Sequence, residues 1–302
     1  MNLNNKNVKI YISKINKVQD YIDENLYKDL TIENLSALVN FSPFYFHRLF
    51  KFVTKESMYS YIKRIRLERA LALLKNDEEK SITDISLSLG FSNQASFAKA
   101  FKNKYGISAS EFRKSKNGQV KNNSGKATND LKLYNNNNNK IFPTSIKTSF
   151  VNEKKLIYIR HTGSYKGNEK LFSELFSKLY TWANARNLVK NDSTWLSMYH
   201  DRGDYTEDNK LRISVCLEVN VDVCTTGIIS KCILSEGKYG IGRFELAADE
   251  YQSAWDYMLY NWLPESGYKL DDKIPYELYL SNENTKSNNK RIVYIYIPII
   301  PL

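Results

Sequence analysis

Through the first 115 positions, apolar residues recur at helical spacing with few glycines between them. The pattern predicts helices at about 8–25, 31–39, 43–54, 57–75, 81–89, 93–104 and 108–114. Past residue 140 the period shortens. KLIYIRH, TWLSMYH, LRISVCLEV, PYELYL and RIVYIYIPI read as strands, alternating with amphipathic helices at about 166–187 and 247–263. Between the two regions runs SKNGQVKNNSGKATNDLKLYNNNNNK, rich in Asn, Lys, Ser and Gly and nearly free of apolar residues. Such a segment buries too little surface to offset its ordering entropy and reads as a linker. The expected fold class is therefore multidomain. An all-α double helix-turn-helix domain (8–115) precedes a low-complexity linker (116–149). An α+β domain of two pseudo-symmetric strand-helix-strand-strand repeats (150–302) follows.

The helix-turn-helix assignment comes from a duplication. In the later copy, Ile82, Ile85 and Leu89 line one face of a short helix and Gly90 stands where a left-handed turn residue is needed. Ser92 is the expected cap of the next helix. Phe97, Phe101 and Tyr105 then form an inward stripe at i, i+4 and i+8. Asn93, Ser96, Lys99 and Asn103 fall opposite. In the earlier copy, Ile32, Leu35, Phe41 and Ser42 match Ile82, Ile85, Phe91 and Ser92 at an offset of fifty. Phe46, Arg48 and Phe50 match Phe97, Lys99 and Phe101 at fifty-one. Pro43 follows the Ser42 cap at the first helical position. Phe44, His47, Arg48 and Lys51 point outward. The connector SMYSYIKRIRLERALALLKND reads as one helix of about 19 residues, roughly 28 Å long. Successive major grooves on one face of B-DNA lie about 34 Å apart, so such a rod suits two readers on adjacent grooves. Lys63, Arg64, Arg66 and Arg69 are expected to add phosphate-neutralising charge.

Charge sharpens this picture. The formal net charge is +11. Residues 1–115 carry 19 Lys/Arg against 12 Asp/Glu, residues 116–150 carry 6 against 1, and residues 151–302 carry 19 against 20. Only the first half is expected to meet a polyanion. No apolar run reaches the roughly 18 residues needed to cross a bilayer, and MNLNNKNVKIYISK lacks the apolar core of a signal peptide. A cytoplasmic location without membrane partners is the expectation. Cys216, Cys224 and Cys232 include no CxxC pair and no histidine spaced to complete a metal site. They read as reduced thiols in or near strands. No metal, cofactor or catalytic residue is expected.

Residues 16–115 resemble the DNA-binding domain of the AraC/XylS family of transcription regulators. The resemblance rests above all on SITDISLSLGFSNQASFAKAFKNKYGISASEFRKS. It implies that Phe44, His47 and Arg48 of the first outward face, and Asn93, Gln94, Ala95, Ser96 and Lys99 of the second, touch base edges of double-stranded promoter DNA. Lys51 joins the first set. RNA polymerase is a further expected partner. Two positions depart from the family pattern. Phe44 stands where an indole is common, which leaves apolar contact such as a thymine methyl. Lys99 stands where an arginine is common and lacks the planar guanidinium fork that suits bidentate guanine recognition. Ile107-Ser108-Ala109-Ser110 replaces the usual Thr-Pro, leaving Ser108 or Ser110 to cap the last helix.

The second half repeats at an offset of eighty: LYTW with LYNW, WLSMY with PYELY, and KLRISVCLEV with KRIVYIYIPI. A groove between two such units is a natural small-molecule site. Residues 150–302 resemble the GyrI-like effector-binding domain through YIRHTGSY, SVCLEV, NWLPESGYKL and PYELYLSN. The two domains in this order resemble the Rob-like regulators. Alternation in PYELYL puts Tyr276, Leu278 and Leu280 on one face, expected to pack on helices, and Glu277 with Tyr279 on the other. Trp195, Ser197 and Tyr199 take the equivalent face of the partner repeat. A carboxylate amid Trp195, Tyr199 and Tyr279 suits a lipophilic or cationic aromatic ligand. The resemblance places the family's acidic pocket residue on Glu277. The expected function is a sequence-specific regulator that senses such a small molecule and is not an enzyme. The alternatives are a GyrI-like hydrolase, with Glu277 as base beside Tyr279, and a protein-interaction module.

Overall fold

A computed structural model describes residues 6–76, 79–115, 141–201, 205–280 and 290–302. Most of the expected linker, its Asn tract included, lies outside the described residues. The chain folds as two compact units, one helical and one strand-rich.

The helical unit contains α1 (Lys6–Glu24) from Lys14 onward, α2 (Ile32–Ala37), α3 (Pro43–Thr54), α4 (Met58–Asn76), α5 (Ile82–Ser88), α6 (Gln94–Tyr105) and α7 (Ala109–Lys114). The duplication is visible atom by atom. Phe41 N donates to Ser36 O at 3.1 Å, and fifty residues on Phe91 N donates to Ser86 O at 3.1 Å. The turn residue is Gly90 (φ 77°) in one copy and Asn40 (φ 55°) in the other. Asparagine is among the few non-glycine residues that tolerate this region. Gly90 has a second reason to be glycine. A Cβ there would sit 2.5 Å from the Leu26 carbonyl oxygen and 2.5 Å from the Arg66 guanidinium. The aromatic stripes match as well: Phe46–Phe50 centroids are 5.6 Å apart and Phe97–Phe101 centroids 5.5 Å.

Three expectations are corrected here. The cap of α6 is Asn93, whose side chain accepts from Ser96 N at 2.8 Å, not Ser92. The second copy has one residue more than the first between turn and stripe, and that residue moves the cap from the offset of fifty to fifty-one. Arg64 is not a phosphate binder. It is buried and paired with Glu56 at 2.6 Å and Glu68 at 3.2 Å. Arg66 donates to the carbonyls of Leu26 (3.0 Å) and Lys28 (2.9 Å), tying the α1–α2 connection to α4. An arginine can serve carbonyls and carboxylates inside a domain as well as phosphates outside it, and sequence charge does not tell these apart. Ser108 caps α7 as expected, in a reciprocal capping box with Glu111.

The strand-rich unit contains β1 (Ser145–Val151), β2 (Lys154–Thr162), α8 (Glu169–Asn184), β3 (Thr194–Tyr199), β4 (Arg212–Glu218), β5 (Ser230–Leu234) and β6 (Gly237–Leu246). Then come α9 (Tyr251–Asp256), a π-helical turn (Tyr257–Trp262), α10 (Leu263–Glu265), β7 (Tyr268–Leu270), β8 (Tyr276–Leu280) and β9 (Arg291–Pro301). The sheet order is β1-β6-β9-β8-β3-β4-β2-β5, with β7 on β9. Thus β6-β9-β8 lies beside β3-β4-β2, joined by the antiparallel β8–β3 ladder. Registers run in parallel: Met198 opposes Ser214, and eighty residues on Leu278 opposes Tyr294. Strands β1, β5 and β7 are additions to the expected strand-helix-strand-strand units.

Both helical segments pack on one face of the sheet. Leu175, Leu179 and Ala183 of α8 cover Ile157, Ile159, Ile213 and Val215. Ala254, Met258 and Leu263 cover Phe244, Val293, Ile295 and Ile297. At Gly240 the Trp262 ring lies where a Cβ would be, 2.2 Å away, so only glycine lets the helix approach. Tyr276, Leu278 and Leu280 are not on the helical face. They join Tyr158, Leu196, Met198, Tyr239 and Tyr296 on the other. Helix cover falls instead on the parity of Glu277, because the two helices follow β2 and β6 on that side. Cys216 is buried in β4, Cys232 is part-buried in β5, Cys224 is exposed, and none of the three is in a disulfide.

Candidate DNA-reading faces and effector site

Ser42 caps α3 by accepting from Tyr45 N at 3.4 Å, and Pro43 opens the helix. Phe46, Leu49 and Phe50 turn inward. That leaves Phe44, 75% exposed, with Arg48 and Lys51 also exposed and His47 half-buried. The Arg48 guanidinium lies over the Phe44 ring at 5.8 Å, so the two form one outward patch. On α6, Asn93, Gln94, Ala95, Ser96 and Lys99 are all exposed. Three of them are partly committed within the chain. Asn93 is the cap, and Ser96 Oγ donates to Asn93 O at 2.8 Å. The Gln94 carboxamide oxygen accepts from Thr83 Oγ1 at 2.9 Å.

In the strand-rich unit, the β3–β8 register sets Ser197 opposite Glu277 and Trp195 opposite Tyr279. Glu277 is 1% exposed. Its carboxylate accepts from Trp255 Nε1 at 2.6 Å, from the Tyr279 hydroxyl and from the Tyr199 hydroxyl. Burial raises its pKa above the ordinary carboxylate range, and the three hydrogen bonds pull it part of the way back. Burial and the neighbouring carboxylate push the Tyr199 and Tyr279 hydroxyls well up, so both stay protonated donors. The rings interlock. Tyr199 meets Trp255 at 5.4 Å, Phe176 meets Tyr279 at 5.8 Å and Trp195 at 6.1 Å, and Tyr180 lies 6.3 Å from Trp195.

All four expected ligand residues are therefore in one aromatic neighbourhood. Sequence reasoning missed Trp255 of α9 and Phe176 and Tyr180 of α8. Trp255 falls four residues after Tyr251 and three before Met258, on the inward stripe, which is the signal that could have found it. A separate groove of about 360 Å³ is lined by Phe142, Tyr257, Asn261, Trp262, Glu265 and Ser266. None of the expected ligand residues lines it.

A family model described as the GyrI-like small molecule binding domain matches residues 144–300, more than half of the chain. A helix-turn-helix domain model matches residues 35–115. The Msm operon regulatory protein of Streptococcus mutans is 36% identical over 110 residues, which is 36% of this chain and 38% of that protein. Regulatory protein SoxS of Salmonella typhimurium is 30% identical over 94 residues, which is 31% of this chain and 87% of SoxS. Among solved structures, the EcmrR C-terminal domain is 15% identical, covering 52% of this chain and 98% of that one at a TM-score of 0.41. No helix among the described residues is long and apolar enough to cross a membrane. The chain belongs to the AraC family of DNA-binding transcription regulators and carries a GyrI-like small molecule binding domain.

Proposed function

We propose that residues 8–115 read two adjacent major grooves of promoter DNA and that residues 150–302 take a small, lipophilic, cationic aromatic effector, each half of that domain contributing one strand to the site. The observation that carries the effector reading is Glu277, a buried carboxylate ringed by Trp195, Tyr199, Trp255 and Tyr279. A cation gains from the charge and the ring faces together, whereas a neutral aromatic gains only the rings. The first DNA reader presents Arg48, His47, Phe44 and Lys51. The second presents Gln94, Ala95 and Lys99, with Asn93 and Ser96 in part engaged by the cap. RNA polymerase is the partner through which such a promoter-bound chain would act.

Calorimetry with lipophilic aromatic cations, such as a rhodamine or an alkylated acridinium, tests the effector half. Binding about 10- to 100-fold weaker in Glu277→Gln is expected, and equal binding by wild type and variant would sink the reading. For the DNA half, full-length protein should select one sequence from random duplex at physiological salt. Equal retention of all sequences would refute it. Ester turnover that vanished in Glu277→Gln would favour a hydrolase. The geometry weighs against that reading, because three internal donors already occupy the carboxylate that would serve as base.

A further inference from the structure

Thr83 lies on α5 and Gln94 opens α6, so they sit on the two arms of the second helix-turn-helix. Both side chains are exposed, and they meet in a hydrogen bond of 2.9 Å from Thr83 Oγ1 to Gln94 Oε1. Gln94 is the long polar residue at the end of α6 that faces outward. A free glutamine carboxamide pairs with adenine as donor and acceptor at once, to N7 and N6. Here Oε1 already accepts from Thr83, and Nε2 keeps its donors. A lone donor fits guanine O6 or N7, adenine N7 or thymine O4, so adenine loses the two-point contact that singles it out.

We propose that Thr83 is a specificity-setting positioning residue: by holding Oε1 it makes Gln94 a single-point donor to base acceptors rather than a bidentate reader of adenine. This rests on the reading of α6 as a groove-facing helix. The first helix-turn-helix has no such device. Glu33 and Pro43 stand at the equivalent positions, and proline has no side-chain group to hold. The second reader, short of bidentate donors, thus gains selectivity from a residue that itself contacts no base.

The test is selection from randomised duplexes with full-length wild type, Thr83→Val, Thr83→Ser and Gln94→Ala. Thr83→Val removes the hydroxyl at nearly constant shape. It should raise the share of adenine about three- to tenfold at one base pair and leave all others unchanged. Thr83→Ser keeps the hydroxyl and should keep the wild-type preference. Gln94→Ala should flatten preference at that same base pair. If Gln94→Ala changes no position, the groove-facing reading of Gln94 fails. If Gln94→Ala flattens a position that Thr83→Val leaves as in wild type, the proposal alone fails. A preference that shifts equally in Thr83→Ser and Thr83→Val, or across the whole site, also overturns it.

Discussion

Gly90 and Asn40 do the same work under different constraints. Both occupy left-handed backbone, but Gly90 is also hemmed in by the Leu26 carbonyl and the Arg66 guanidinium. Gly90→Ala should therefore cost about 2 kcal/mol or more by urea denaturation, while Asn40→Gly should change stability by under about 1 kcal/mol. Glu277 yields a prediction of opposite sign for folding and for binding. Its folded pKa is raised, so the native state holds the proton to higher pH than the unfolded chain does. Its contribution to stability is full below about pH 4.3 and is lost as pH rises through the raised folded value. Cation affinity runs the other way, rising with pH through that value. Calorimetry at acidic pH in two buffers of different ionisation enthalpy should detect proton release on binding by wild type and none by Glu277→Gln. That variant should also bind about 10- to 100-fold more weakly.

Helix α4 shows what the sequence conveyed at the scale of the element and what it did not. Its length and place between the two readers were legible from unbroken helical spacing. The destinations of its arginines were not, because Glu56 reaches Arg64 across a turn and the Leu26 carbonyl reaches Arg66 across forty residues. Arg64→Ala strands the Glu56 carboxylate and takes one partner from Glu68, which keeps Lys104, and should cost about 3–5 kcal/mol in urea denaturation. Under conditions where it remains folded, the salt dependence of DNA binding should be unchanged. Loss of one phosphate contact would instead lower the slope by about 0.9. The strands divide in a similar way. Alternation in PYELYL separated Glu277 and Tyr279 from Tyr276 and Leu278 correctly. Which parity the helices covered depended on how α8 and α9 leave β2 and β6, a tertiary matter that a two-residue period does not encode. Trp255 was missed for the same reason, since helical periodicity names an inward stripe without naming what it meets.

For the whole molecule, two readers on one rigid connector make half-site spacing a geometric quantity. With α4 fixing their separation, the proposed operator carries its two contacted segments about one helical turn, roughly 10 base pairs, apart. Inserting five base pairs between them should reduce affinity to the level of a single half-site in a fluorescence-anisotropy titration. Inserting ten should not restore it, because the connector has no slack to span two turns. The basic balance of residues 1–115 and the near-neutral balance of 151–302 add that salt should weaken DNA binding far more than effector binding.

The three donors on Glu277 have one more consequence. The Glu277 carboxylate is hydrogen-bonded within the fold itself. The effector then adds to stability only what mass action gives any ligand of the native state. Under the proposed function, a cation would bind by exchange, one hydroxyl or indole N–H releasing the carboxylate, so that arrival would be read as a change of partners rather than as the rescue of a half-made protein.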